Sequence, residues 1–235
     1  MPDDATVPPL DPQLRGQMLA YYNERAPEYE EAYTLGTGTA SIRDPEVFKA
    51  DARVLEGIVA RVARGSLMDL ACGTAYWLRH YAANCSRITL FDQSERMLAE
   101  ARAKASGLGI LDRCDFVHGD FFAHNFATDS HATALVGFFL SHLTYAQERV
   151  LFDALRTLLQ SGGRFLILDS AWSPERAKFN SKVERQPRQL TDEPHHSPIL
   201  VQPLNSTLPM RTTIVLVGLV PSRRQGESRS DLYSD

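Results

Sequence analysis

The stretch Ser66-Leu67-Met68-Asp69-Leu70-Ala71-Cys72-Gly73-Thr74-Ala75 constrains this chain more than any other. Its apolar run, bounded by Gly65 and Gly73, reads as the buried first strand of a parallel sheet, with a helix starting near Tyr76. The strand ends in a carboxylate and a tight loop of small residues. Ala71, Gly73 and Ala75 let a ligand lie against the backbone, whose N–H groups are expected to point outward at the helix N-terminus. A polar ligand finds donors in such a cradle.

A second strand-like run, Arg87-Ile88-Thr89-Leu90-Phe91, ends in Asp92 and is followed by Gln93-Ser94-Glu95-Arg96-Met97-Leu98. An acid in that place accepts both hydroxyls of a ribose, each charge-assisted bond contributing about 1.5–3 kcal/mol. A dinucleotide fold also wants an acid roughly 20 residues after its glycines, so Asp92 alone leaves both readings open. Two features separate them. Where the dinucleotide fingerprint needs three glycines the chain has Ala71, Gly73 and Tyr76, so a pyrophosphate would meet a ring. The chain also offers acids at three strand ends: Asp69, Asp92 and, after Phe116-Val117-His118-Gly119, Asp120. Three such acids suit a nucleoside that carries an amino acid.

Between about Tyr21 and about Leu190 the chain resembles the class I S-adenosylmethionine-dependent methyltransferases, in their small-molecule branch. Leu67 to Ala75 is similar to the family's first motif, Leu90-Phe91-Asp92-Gln93-Ser94 to its ribose-binding motif, and Gly119-Asp120-Phe121-Phe122 to the stretch bordering the adenine. Leu159-Gln160-Ser161-Gly162-Gly163-Arg164-Phe165 resembles the turn into the fifth strand, and Asp169-Ser170-Ala171-Trp172-Ser173-Pro174-Glu175-Arg176 a subgroup hallmark. The resemblance implies an α/β fold with a doubly wound, mostly parallel, Rossmann-like sheet. It implies S-adenosyl-L-methionine as cofactor and methyl transfer to an oxygen, nitrogen or carbon of a small-molecule acceptor. The cofactor contacts it implies are Tyr22, Arg25, Asp69, Ala71, Gly73, Asp92, Gln93, Asp120 and Phe121. Ala75 departs from the family, which usually has glycine there; a positive φ at that position would cost on the order of 1 kcal/mol. Two other readings stand beside this one: a non-catalytic S-adenosylmethionine-binding module, and an NAD(P)-dependent oxidoreductase that the glycine pattern disfavours.

Upstream, Tyr21-Tyr22-Asn23-Glu24-Arg25-Ala26-Pro27-Glu28-Tyr29-Glu30-Glu31-Ala32-Tyr33 reads as a helical stretch interrupted at Pro27. In the family a similar segment is a lid over the cofactor. A tyrosine face at Tyr22 suits a sulfonium cation, and Arg25 can fork onto a carboxylate. Tyr29 and Tyr33 read as packing. His142, just past the fourth strand in Phe138-Phe139-Leu140-Ser141-His142, is the candidate catalytic base, with a helix cap as its structural alternative.

With 235 residues and 43% hydrophobic content, the chain can bury one ample core and has little room for a second domain. The expected division is a disordered lead over 1–12, one domain over 13–190 and an atypical tail over 191–235. A net charge of −4 gives no basic field for nucleic acid, so a small molecule is the expected partner. Cys72, Cys85 and Cys114 have neither disulfide nor zinc spacing, no metal site is expected, and the expected compartment is the reducing cytoplasm. Asp3 and Asp4 and the early prolines do not read as a signal peptide, and the apolar run Ile214 to Val220 is far too short to cross a membrane.

Helices are expected over 76–83, over 95–106 after a Ser94 cap, and over 147–159. Asp44-Pro45 opens an earlier helix with Val47, Val54, Leu55, Ile58, Val59 and Val62 on one face. The fourth and fifth strands are expected over 132–140 and 164–169. From Thr191 the chain turns rich in Pro, Ser, Thr and Arg, with one strand-like run at 212–220. One run supplies one strand, so the C-terminal strand pair is expected to be incomplete, as after a shifted reading frame or an unrelated replacement.

Overall fold

Apolar runs bounded by turn residues alternate along this chain with helical patterns, and buried parallel strands with crossover helices are what such a sequence can build. The computed structural model describes residues 12–30, 45–170, 200–203 and 213–220. In chain order these form α1 (Pro12–Arg25), a 3-10 turn (Ala26–Glu28), α2 (Pro45–Val62), β1 (Gly65–Leu70), α3 (Leu78–Tyr81), β2 (Cys85–Asp92) and α4 (Glu95–Gly107). There follow β3 (Cys114–His118), β4 (His131–Gly137), α5 (Tyr145–Leu158), β5 (Leu159–Ser170), β6 (Leu200–Pro203) and β7 (Thr213–Leu219), with short 3-10 turns between. Tyr33, Asp44, the 171–176 hallmark and most of the tail lie outside the described residues.

The strands make one seven-stranded sheet in the order β3-β2-β1-β4-β5-β7-β6. The first five are parallel, and β7 runs antiparallel to both β5 and β6. The chain reverses its direction of growth between β1 and β4, where ligands of doubly wound sheets sit. Alternation along the strands divides the core between two faces. Leu67, Ile88, Leu90, Leu135 and Leu166 meet Leu55, Ile58 and Val59 of α2 on one side, while Met68, Leu70, Phe91, Val136 and Ile167 meet Leu151 and Leu155 of α5 on the other. The Ser94 cap forms as expected, its hydroxyl accepting the Met97 N–H at 3.1 Å. Pro27 ends the first helix, and a 3-10 turn replaces the continuation. The helix expected over 76–83 shortens to one turn because the residues before it close the loop instead, Leu78 N–H reaching the Ala75 carbonyl at 3.1 Å.

The tail corrects one expectation. It supplies two strands, and the pair that was expected to be incomplete finishes the sheet. Gly218 sits opposite Phe165 in the β5–β7 register, and a Cβ there would fall 2.1 Å from the buried Phe165 ring. The glycine is what lets β7 close on β5. Gly218→Ala is expected to displace that ring at a cost of about 1–3 kcal/mol, lowering the melting temperature by about 2–4 °C per kcal/mol. Gly57→Ala in α2, where an added Cβ meets nothing within 4 Å, is expected to leave melting unchanged or raise it. Equal melting of the two variants would mean that β7 is not seated beside β5.

Candidate active site

Four parallel strands deliver their carboxyl ends to one open cavity. β1 contributes Ala71 and Gly73, β2 Asp92 and Gln93, and β3 Gly119, Asp120 and Phe121; Gly137 and Phe138 follow from β4. Met18, Tyr22 and Tyr29 of the N-terminal segment also line it, as do Phe139, His142 and Leu143 past β4.

Asp92 organises the floor. One carboxylate oxygen accepts the Gly73 N–H at 2.8 Å and the other the Ser94 N–H at 2.8 Å. Burial pushes the Asp92 carboxyl up, and the backbone N–H groups of Ser94, Gly73 and Gln93 pull it back towards ionisation. The carboxylate keeps lone-pair capacity for a ligand hydroxyl. The loop that Asp92 holds is left-handed at alternate residues, with φ of +52° at Ala71, +54° at Gly73 and +56° at Ala75. Ala75 thus carries the Cβ strain weighed from its sequence, and its methyl is buried in the core. Three N–H groups of the loop are used internally, Cys72 on Phe91, Gly73 on Asp92 and Ala75 on Cys72. The loop is therefore less of a donor cradle than its composition suggests.

Two of the residues expected at the cofactor stand apart from the cavity. Asp69 points to the α3 side of the sheet, where it is 1% exposed and accepts the Tyr81 hydroxyl at 2.8 Å. Its burial pushes the carboxyl up to about 7; the Tyr81 bond opposes this, nearby Asp92 adds to it, and Lys104 opposes it more weakly. Asp69 thus ties the end of β1 to the helix that follows the loop. Arg25 turns to Tyr21, donating to its hydroxyl at 2.8 Å, and lies 3.6 Å from Glu28, with its side chain outside the cavity lining.

Tyr29, expected only to pack, lines the cavity beside Tyr22, their rings 6.1 Å apart edge to face. Phe121, one of the residues expected at the cofactor, lines the cavity, and Phe122, Phe138 and Phe139 extend it into an aromatic wall whose signal in the sequence is two apolar doublets just beyond strand ends, where polar loop residues are usual. Phe121 packs its ring 5.7 Å from Phe139. Phe138 holds φ at +55°, costly for a bulky residue, and is fixed there by its N–H on the Leu168 carbonyl at 2.7 Å and by stacking on Trp77. His142 closes a 3-10 turn (Leu140–His142) with its ring exposed at the cavity. It does not cap the next helix; Thr144 and Gln147 do so with a reciprocal capping box.

The raised Asp69 carboxyl gives stability a pH signature. Folded Asp69 holds its proton up to about 7 while the unfolded chain loses it near 3.8, so this contribution is complete below pH 3.8 and is lost as pH rises through 7. Asp69→Asn keeps an acceptor for Tyr81 without the charge. Its melting temperature is expected to gain on the parent between pH 5 and pH 8, by the equivalent of a few kcal/mol at most. Parallel melting curves across that range would refute the assignment.

Residues 67–163 match the sequence profile of a family described as methyltransferase domain. Demethylmenaquinone methyltransferase of Clavibacter sepedonicus is 30% identical over 159 residues, which are 68% of this chain and 60% of that protein. The ubiquinone/menaquinone biosynthesis C-methyltransferase UbiE of Cereibacter sphaeroides is 30% identical over 124 residues, covering 48% of this chain and 49% of its own. The chain thus spans only half to three fifths of the length of these relatives. Among solved structures, the DhpI-SAM-HEP complex superposes with a TM-score of 0.57 at 23% identity, over 90% of this chain and 85% of that one. Profile and relatives agree that residues 67–163 form a methyltransferase domain, and the superposition places it on the doubly wound fold of the solved structures.

Proposed function

We propose that this chain binds S-adenosyl-L-methionine in the cavity and directs methyl transfer to an oxygen, nitrogen or carbon of a small acceptor with an apolar, flat body. The observation that carries this reading is the convergence of Asp92, Asp120 and the Gly73 loop on one cavity. The donor set fits the cofactor: paired acceptors on Asp92 for ribose hydroxyls, a carboxylate at Asp120 for an exocyclic amine, and aromatic faces for the base and the cation. The Tyr29 ring stands over Gly73, where an added Cβ would touch it at 3.9 Å, so loop and ring bound the same part of the cavity. When bound, the cofactor supplies an electrophilic methyl on a sulfonium.

The protein's share is alignment and exclusion of water. Asp92, Gln93, Asp120 and Phe121 fix the nucleoside half, while Ala71 and Gly73 admit the amino-acid half. Tyr22, with Tyr29 beside it, covers the charged centre. Phe122, Phe138, Phe139 and Leu143 form an apolar wall for the acceptor, in line with relatives named for demethylmenaquinone and for ubiquinone/menaquinone biosynthesis. In this reading His142, exposed where it lines the cavity, takes the acceptor's proton. The three free cysteines fit a reducing, cytoplasmic setting, and no helix among the described residues is long and apolar enough to cross a membrane.

Calorimetric titration with S-adenosylmethionine and S-adenosylhomocysteine tests the reading. Binding is expected for the parent chain, and Asp92→Ala, which removes two charge-assisted bonds and the Gly73 clamp, is expected to weaken it at least about 100-fold. A folded parent that binds neither compound would overturn the assignment. His142→Ala is expected to leave that affinity unchanged and to lower turnover by about 100-fold or more where the acceptor must lose a proton.

A further inference from the structure

Glu30 lies one residue beyond Tyr29 and gathers partners from three other elements. Its carboxylate accepts the Thr74 hydroxyl at 2.8 Å, pairs with the Lys104 ammonium, and stands 3.5 Å from Arg79. Thr74 belongs to the 71–75 loop, Lys104 to α4 and Arg79 to α3. Lys104 also donates to the Thr74 carbonyl at 2.7 Å, so the ammonium and the carboxylate grip the same loop residue. Side-chain exposures of 17% for Lys104 and 23% for Glu30 leave the pair weakly screened, whereas Arg79 at 48% contributes little. None of these four side chains lines the cavity. Earlier in the segment, Asn23 accepts the Ser94 hydroxyl at 2.6 Å and its carbonyl meets Arg96 at 3.4 Å. The segment carrying Met18, Tyr22 and Tyr29 is thus fastened at Asn23 to the turn after β2, and at Glu30 to the loop after β1.

We propose that Glu30 is a positioning residue: through Lys104 and Thr74 it latches the N-terminal segment onto the 71–75 loop and so sets cofactor affinity without touching the cofactor. This rests on the reading of the cavity as an S-adenosylmethionine site. Removing the carboxylate's charge strands the Lys104 ammonium in the closed arrangement but not in an open one, where water reaches it. The equilibrium of the segment therefore shifts towards open, and the aromatic cover over the cavity is populated for less of the time. Removing both charges relieves the stranded ammonium, so the two substitutions are non-additive.

The test uses the full chain with Glu30→Gln, Lys104→Met and the double variant, in two assays. Trypsin cleavage after Arg25 without ligand reports opening, and calorimetric titration with S-adenosylhomocysteine reports affinity. Glu30→Gln is expected to speed cleavage and raise the Kd by about tenfold each, with melting of the core unmoved. The double variant is expected to recover most of both losses, a rescue that general destabilisation would not give. Cleavage and affinity at the parent's values in the single variants, or additive losses in the double, would overturn the latch. Should Glu30→Gln fail to fold, Lys104→Met against the parent carries the same two readouts. A parent that binds no S-adenosylhomocysteine while cleavage still follows the latch would overturn the cofactor reading alone.

Discussion

The bond from the Gly73 N–H to Asp92 is the joint on which the site depends. It fastens the loop after β1 to the end of β2, and the same carboxylate, through Ser94, sets the start of α4. With the Cys72 bond to Phe91 and the grip on Thr74, it holds a loop that is left-handed at three alternate residues, two of them alanines that carry the strain of a Cβ. A buried acid with backbone donors on both oxygens is held rigid, which a ligand-binding group needs to be before its ligand arrives.

Charge is layered beneath that joint. Asp92 faces the cavity, while Asp69 lies behind the loop and is held by Tyr81. The two carboxylates repel, and burial together with that repulsion keeps Asp69 protonated towards neutrality. The Lys104 charge opposes that shift, and its own burial pulls its ammonium down while Glu30 holds it up. Below about pH 7 the Asp69 under the floor of the site is thus held neutral, which spares the loop two like charges back to back.

Much of this was legible in the sequence, for local reasons. Asp92, the Ser94 cap and the Gly73 turn follow from residue types that act on their immediate neighbours. What stayed hidden depends on partners far along the chain. The face to which Asp69 turns is settled by Tyr81 in α3, and the destination of Arg25 by Tyr21 and Glu28, so the type of residue was informative and its direction was not. β6 is four residues long and ends in Pro203, too short and too proline-marked to read as a strand, and only its pairing with β7 makes it one. Tyr29 looked like packing because a tyrosine on a helical stretch does both jobs with the same spacing.

The strand order also has a cost that falls on the ribosome. β5 is made well before β7, yet β7 is its partner on the outer side. While residues 171–212 are being synthesised, at about 5–20 residues per second, the nascent chain carries a long apolar strand with one row of backbone hydrogen-bonding groups unmatched, for a time on the order of seconds. Another emerging copy on the same polysome offers an identical edge, so the interval before β7 appears is when this protein is most exposed to pairing with itself.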